Sequence, residues 1–171
     1  MRRLNEEETA NLSVRRMTPA SAGGEGGATG EQTMDRWFDL HRTVVLPAHC
    51  DGYGHMNVRQ YAAFFDDAGW HIPAMAGISL DEFRSRGLGT VVATLTIDFH
   101  HEITLGQLVL IRGAVTRVGT KSFGHELRLY AADAMTHCAT QKTVEVCFDT
   151  QARKGVAFPE DIAAKLRALT A

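Results

Sequence analysis

The sequence is poor in three features that mark particular classes of protein: cysteine, long apolar runs and an excess of basic residues. It has three cysteines (Cys50, Cys138 and Cys147) and no C-x-x-C pair, so neither a disulfide framework nor a zinc finger is indicated. No apolar run approaches the roughly 18 residues that a membrane-spanning helix needs. A formal net charge of −2 offers no basic field for nucleic acid or an anionic membrane. We therefore expect a protein of the reducing cytoplasm that binds neither nucleic acid nor membrane.

The first 33 residues differ in composition from the rest. Arg2 and Arg3 are followed by glutamates at positions 6–8 rather than by an apolar stretch, which argues against a secretory signal or a transit peptide. Residues 18–33 are mostly Gly, Ala, Ser, Thr and Glu, and such a segment buries too little apolar surface to offset the entropy of ordering. The sequence predicts a flexible tail over residues 1–33 and one folded domain over residues 34–171.

The pattern of apolar residues predicts strands and helices within that domain. Residues 36–46 are typical of a strand, and a helix is expected from an Asn57 cap to about Ile72, where Pro73 disfavours continuation. A second, short helix is expected from Ser79, and another from Pro159. Between these two helices, alternating apolar and polar side chains predict four strands, with Gly or Asp turns between them. A strict period of two runs through the first, from Val91 to His100, and the other three are expected over residues 108–118, 122–131 and 136–149.

The order of these elements indicates the fold class. One strand, a long apolar helix and then four meandering strands are typical of an α+β protein with an antiparallel sheet on one side of the helix. The apolar stripe of the helix includes Val58, Tyr61, Phe65 and Ala68, so we expect most of this helix to be buried. The other face of the sheet needs cover, and dimerisation is one way to provide it.

The sequence DGYGHMN at residues 51–57, followed by Tyr61, resembles the signature of the 4-hydroxybenzoyl-CoA thioesterase family of hotdog proteins. That signature is an Asp, then Gly-His-x-Asn, then a Tyr at the start of the central helix. The matches are Asp51, Gly54, His55, Asn57 and Tyr61, and the resemblance extends over about residues 36–160. The sequence departs from the family at two positions, where Val58 replaces a second Asn and Gln107 replaces an Asp.

This resemblance implies a hotdog fold, in which a five-stranded antiparallel sheet wraps a long central helix. It also implies hydrolysis of acyl-CoA thioesters without a metal or a separate cofactor, since coenzyme A is part of the substrate. The family is dimeric or tetrameric and shares its active sites between subunits. The family further suggests that Tyr61 and Phe65 line the acyl pocket and that Lys121 and Ser122 lie near the pantetheine arm.

Thioester hydrolysis needs an attacking oxygen and a stabilised oxyanion, and the motif offers both. Asp51 is the candidate catalytic residue, either as a nucleophile or as a base for water. The backbone at the helix start, over Gly54, His55, Met56 and Asn57, is the candidate for oxyanion binding and positioning, because unpaired amides and the helix dipole favour negative charge there.

Several alternatives remain open from the sequence. Asp66 or Asp67, on the central helix, could be the base instead, as in a related hotdog lineage. A hotdog enoyl-CoA hydratase is a second possibility, although its His follows the Asp by five residues rather than the four between Asp51 and His55. A non-catalytic acyl-CoA-binding module is a third. A metal site is not indicated, because the histidines at 100, 101, 125 and 137 lack tight ligand spacing.

Overall fold

The computed structural model describes residues 36–170, so the tail predicted over residues 1–33 lies outside the described residues. In chain order the elements are β1 (Phe38–Val44), α1 (Val58–Gly69), α2 (His71–Met75), α3 (Leu80–Ser85), β2 (Leu88–Phe99), β3 (Leu108–Val118), β4 (Ser122–Ala131), β5 (Thr136–Asp149), β6 (Lys154–Gly155) and α4 (Glu160–Arg167). A 3-10 turn, Pro47–His49, follows β1. The predicted α+β class and the predicted order of elements are confirmed.

All strand pairs in the sheet are antiparallel. The strand order is β1-β3-β4-β5-β2. A sixth strand, β6, has two residues and pairs only with the end of β5. The five predicted strands are therefore all present, and β6 is an addition of two residues. Strands β4 and β5 lie in the middle of the sheet, whereas β1 and β2 form its edges.

Helix α1 begins where the sequence predicts and ends three residues early. The Asn57 side chain caps it by accepting a hydrogen bond from the Arg59 amide, at 3.0 Å. The helix ends at Gly69, and the chain restarts as α2 at His71. This break places Pro73 at the third residue of α2, where an amide hydrogen would have no acceptor within the helix, so the proline is tolerated there.

One side of α1 is buried against the sheet, and the other is exposed in the single chain. Tyr61, Phe64, Phe65 and Ala68 are all buried. Val58, by contrast, is 62% exposed, and the four buried residues are a minority of the twelve in α1, so the expectation that most of this helix is buried is wrong. The exposed side is free to contact a second molecule.

Strand β2 departs from the strict alternation that the sequence predicts. A register shift between Val92 and Thr94 marks a β-bulge in its pairing with β5. Because β2 is an edge strand, Val91, Val92, Leu95 and Phe99 all keep between 42% and 54% of their surface exposed. The structure thus has one sheet edge lined with large apolar side chains.

The remaining helices cover the sheet and complete the core. Ser79, where the sequence predicts this helix to begin, caps α3 by accepting a hydrogen bond from the Glu82 amide at 3.0 Å. Pro159 is the cap of α4 rather than its first residue, and α4 buries Ile162 and Leu166. None of the helices over residues 36–170 is long and apolar enough to span a membrane.

Candidate active site

The loop that carries Asp51 is closed by hydrogen bonds of its own backbone. The Asp51 amide donates to the His55 carbonyl at 2.9 Å, and the Gly54 amide donates to the Asp51 carbonyl at 3.1 Å. Gly54 has a φ of +86°, a conformation that side-chain-bearing residues rarely adopt. The glycine of the motif is therefore required by the turn that brings the chain back toward α1.

Two further backbone bonds tie the end of this loop to the rest of the fold. The Met56 amide donates to the Ile103 carbonyl at 2.7 Å, and the Asn57 amide donates to the His49 carbonyl at 2.8 Å. These amides are therefore occupied, as is that of Gly54. Within residues 36–170, the amides of His55 and Val58 have no acceptor. Of the predicted oxyanion donors only His55 therefore keeps a free amide, and Val58, the first residue of α1, is an addition to them.

The Asp51 carboxylate has one oxygen engaged and one available. Its Oδ1 accepts a hydrogen bond from the Tyr53 amide at 2.9 Å, whereas Oδ2 receives none from residues 36–170. The side chain is half-buried and lines an open cavity of about 360 Å³ together with His55, Tyr61 and Phe99. Asp51 thus borders a space that can hold a ligand, and Val58, the first residue of α1, lines the same cavity.

Several polar side chains complete this cavity, among them His55, Glu102 and Tyr61. His55 Nε2 lies 3.3 Å from Glu102 Oε2, so the imidazole pairs with Glu102 while its backbone carbonyl holds the Asp51 amide. Burial, reinforced by the charge of Cys138 and then of Glu102, raises the pKa of Tyr61 to about 12. The Tyr61 hydroxyl therefore stays protonated at neutral pH and can donate a hydrogen bond.

A second, more enclosed cavity of about 390 Å³ lies farther along α1. Phe65 lines this cavity and not the one beside Asp51, so the two residues predicted for one acyl pocket, Tyr61 and Phe65, line different cavities. Of the two helix acids, Asp66 lines the second cavity, whereas Asp67 lines neither of the two. Of these two helix acids, only Asp66 therefore remains an alternative to Asp51 beside a pocket.

The floor of the second cavity is polar, which the sequence did not lead us to expect. His125 Nε2 lies 3.0 Å from Glu145 Oε1, and the Gln141 amide group donates to the Thr143 hydroxyl at 3.0 Å. The available signal was the alternation of polar residues at 141, 143 and 145 in β5. From the sequence alone, these positions cannot be distinguished from those on the solvent-facing side of a strand.

Lys121 and Ser122 lie at the other end of the sheet from Asp51. Ser122 pairs with Val146 of β5, whereas Phe99, beside Asp51, pairs with Ala139. The extended chain from Ala139 to Val146 covers about 24 Å at about 3.4 Å per residue. One copy of the chain therefore does not bring the predicted CoA-binding residues to the carboxylate.

The described residues offer no cluster suited to a metal. Over residues 36–170, no three His, Cys, Asp or Glu side chains come together in a way that could hold an ion. The rings of His100 and His137 lie with their centroids 4.6 Å apart and tilted by 56° to each other, and both side chains lie within hydrogen-bond distance of Thr140. These two histidines are therefore grouped with the uncharged Thr140 rather than with a carboxylate or a thiol.

Solved structures of similar fold include proteins of known ligand or activity. A 1,4-dihydroxy-2-naphthoyl-CoA thioesterase from Synechocystis superposes with a TM-score of 0.68 at 21% identity, covering 78% of this chain and 97% of its own. A Staphylococcus aureus protein solved in complex with CoA gives 0.69 at 20% identity, covering 75% and 81%. A Pseudomonas aeruginosa protein gives 0.66 at 25% identity, covering 78% and 93%. These similarities confirm the hotdog fold.

Sequence comparison leads to the same family. No curated protein matches the chain in sequence. The sequence model of the thioesterase-like superfamily, however, matches residues 45–166, which include the Asp51 loop, α1 and every strand from β2 to β6. A match of this extent covers most of the chain. The protein belongs to the thioesterase-like superfamily.

Proposed function

We propose that this protein hydrolyses an acyl-CoA thioester to a free acid and coenzyme A, with Asp51 as the catalytic residue. The observation that carries the proposal is the Asp51 side chain, whose Oδ2 accepts no hydrogen bond from residues 36–170 and whose residue lines a cavity shared with Val58 at the start of α1. Membership of the thioesterase-like superfamily supports it, and so do a neighbour solved with CoA and another that is a thioesterase for an aromatic acyl-CoA.

Asp51 can act in either of two ways. As a nucleophile, its Oδ2 would attack the thioester carbonyl, expel the CoA thiolate and leave an anhydride that water then hydrolyses. As a general base, it would take a proton from a water molecule that attacks the same carbonyl. In both cases, negative charge develops on the carbonyl oxygen, and the free amides of His55 and Val58 at the helix start would stabilise it.

In this proposal, a complete active site contains residues from two copies of the chain. The edge strand β2 has an unpaired side and exposes Val91, Val92, Leu95 and Phe99, features that favour pairing with another strand. Antiparallel pairing of two β2 strands would set the Phe99 end of one copy beside the Leu88 end of its partner. That arrangement would bring Lys121 and Ser122 of the second copy toward Asp51 of the first, where they could bind CoA.

The direct test is to offer the purified full-length protein a panel of short, long and aromatic acyl-CoAs and to follow release of free thiol. Hydrolysis of any of these substrates, lost in Asp51→Asn, is the expected result. The hydratase alternative predicts instead a loss of enoyl absorbance from an enoyl-CoA without thiol release. The non-catalytic alternative predicts binding of acyl-CoA with neither change, and either outcome would overturn the proposal.

A further inference from the structure

The side chain of Tyr61 is held by a neighbouring ring and directed by the helix that carries it. Tyr61 is 5% exposed, and its ring meets the Phe99 ring edge to face, with the centroids 5.0 Å apart. It belongs to the beginning of α1, and long side chains on a helix lean toward the helix start. The Tyr61 hydroxyl therefore lies over the first turn of α1 rather than beside its own backbone.

The backbone of Ile103 locates this hydroxyl more closely. The Ile103 amide approaches the Tyr61 oxygen and partly opposes the rise in the pKa of Tyr61 that burial causes. The carbonyl of Ile103 accepts the Met56 amide at 2.7 Å. Met56 directly follows His55 and precedes Val58 by two residues. The hydroxyl therefore lies close to the two free amides at the helix start, those of His55 and Val58.

The Tyr61 hydroxyl has a hydrogen-bond donor that the fold does not use. No hydrogen bond within residues 36–170 has this hydroxyl as its donor, yet the hydroxyl is not one of the fully buried polar atoms that lack a partner. Its oxygen therefore keeps some accessible surface. Of the two cavities described above, Tyr61 lines only the one of about 360 Å³ that Asp51 and Val58 also line. The unused donor therefore opens onto the cavity beside Asp51.

The acidity of this hydroxyl decides what it can do for a thioester. With a pKa of about 12, Tyr61 is too weak an acid to protonate a departing thiolate, because an ordinary thiol has a pKa of about 8.5. A hydrogen bond to a carbonyl oxygen, in contrast, strengthens as that oxygen gains negative charge. The hydroxyl is thus suited to stabilise an oxyanion and unsuited to act as a general acid.

We propose that the Tyr61 hydroxyl is a third hydrogen-bond donor to the thioester carbonyl oxygen, alongside the free amides of His55 and Val58. The proposal rests on the thioester hydrolysis proposed above. Tyr61 then contacts the reacting carbonyl rather than the rest of the acyl group, for which the sequence suggests it. Because negative charge develops on this oxygen only as the thioester reacts, the hydrogen bond is stronger in the transition state than in the bound substrate.

Removal of the hydroxyl tests its part in turnover. Tyr61→Phe keeps the ring, and it should lower kcat for thiol release by about 10-fold or more while KM stays within about 2-fold, because the interaction is made mainly in the transition state. Tyr130→Phe makes the same change on β4, at a residue that lines neither cavity, and it should leave both constants unchanged. A Tyr61→Phe protein with full kcat would overturn the proposal.

Two unreactive CoA derivatives test the contact with the carbonyl without any turnover. S-(2-oxopropyl)-CoA and S-propyl-CoA differ by one carbonyl oxygen, and calorimetry gives the ratio of their dissociation constants. The wild type should favour the ketone, and Tyr61→Phe should reduce this preference by about 3-fold or more, in keeping with the loss of one hydrogen bond. A wild type without the preference, or a variant that keeps it in full, would overturn the proposal even where kcat falls.

A fluorine label keeps the proposal testable where Tyr61→Phe does not fold. The chain has three tyrosines, at positions 53, 61 and 130, and 3-fluorotyrosine can replace all of them with little change in size. Tyr53→Phe and Tyr130→Phe assign the fluorine resonances by elimination. The resonance of residue 61 should shift when S-(2-oxopropyl)-CoA binds and much less when S-propyl-CoA binds. Equal shifts would contradict a contact with the carbonyl.

The binding measurements distinguish failure of this inference from failure of the proposed hydrolysis. A preference for the ketone that falls in Tyr61→Phe, in a protein that releases no thiol from any acyl-CoA, would support the carbonyl contact and refute the hydrolase. Thiol release together with the same preference in the wild type and in Tyr61→Phe would refute the contact and leave the hydrolase standing.

Discussion

The imidazole of His55 lies 3.3 Å from the Glu102 carboxylate, so a side-chain pair connects the Asp51 loop to the segment that follows β2. Both side chains are substantially exposed, at 43% and 72%, and exposed pairs of this kind contribute little to stability. The loop is held mainly by the backbone bonds to His49 and Ile103. We expect Glu102→Gln to change the free energy of unfolding by less than about 0.5 kcal/mol, measured by urea denaturation, and kcat by less than about 3-fold. A larger loss would show that the pair, and not the backbone, holds Asp51.

Removal of the Asp51 charge should have the largest effect of any single change in the loop. Asp51→Asn is expected to lower turnover by at least about 10²-fold, comparable to the loss of one strong catalytic group. Its melting temperature should stay near that of the wild type, because Asn can still accept the Tyr53 amide. Asp66→Asn is the matched control on α1, with an expected loss of less than about 3-fold. If the two results are reversed, Asp66 is the catalytic carboxylate.

Gly54 and Gly52 offer a paired test of the loop's backbone conformation. An added Cβ would meet no atom within 4 Å at either position, but only Gly54 has a positive φ, at +86°. Gly54→Ala should therefore cost about 1 kcal/mol of stability and lower activity by displacing Asp51. Gly52→Ala should be close to neutral in both measurements. Equal effects of the two substitutions would argue against a conformational requirement at Gly54.

The buried hydroxyl of Tyr61 makes stability depend on alkaline pH. Its pKa is about 12 in the folded chain against an ordinary value of 10, so above pH 10 the unfolded chain releases the proton first. The associated stability is fully present below pH 10 and is lost as the pH rises toward 12, by up to about 3 kcal/mol. Urea unfolding at pH 9, 10 and 11 should show a steeper decline for the wild type than for Tyr61→Phe. Parallel declines would contradict the raised pKa.

A charge on the β2 edge should separate the proposed dimer. Val91 is 42% exposed on this strand and lines neither of the two cavities described, so Val91→Lys alters the edge without altering a pocket. We expect this variant to be monomeric by light scattering and to lose activity, because a lysine on an edge strand opposes pairing. Met135→Lys, an exposed change in the β4–β5 turn, should keep the wild-type mass. A monomeric wild type with full activity would exclude a shared site.

The parts of the fold that the sequence predicts well are those fixed by local pattern. The bounds of β3, β4 and β5 agree with prediction because alternating side chains and turn residues define both ends of each strand. The end of α1 was missed because Pro73 is tolerated in the first turn of a new helix. The exposure of β2 was missed because edge position depends on strand order, which alternation does not encode.

The candidate site also has one part that the sequence predicts and another that it does not. The Asp51 loop is contiguous in sequence, so its motif was visible before its geometry. The polar floor combines His125 with residues 16 to 20 positions away on the next strand, and only the register between β4 and β5 makes them neighbours. Likewise, the pairing of the Met56 amide with Ile103 joins distant segments and could not be anticipated from the loop alone.

The bonds that hold the Asp51 loop run almost entirely through its main chain, from Asp51, Gly54, Met56 and Asn57. The backbone conformation of the loop consequently depends little on most of its side chains. Tyr53, for example, is 88% exposed and packs against almost nothing. The main chain thus sets the position of residue 51, whereas its side chain sets the chemistry. Single substitutions could therefore change the reacting side chain, or the polarity of the residues around the cavity, without changing the backbone of the loop.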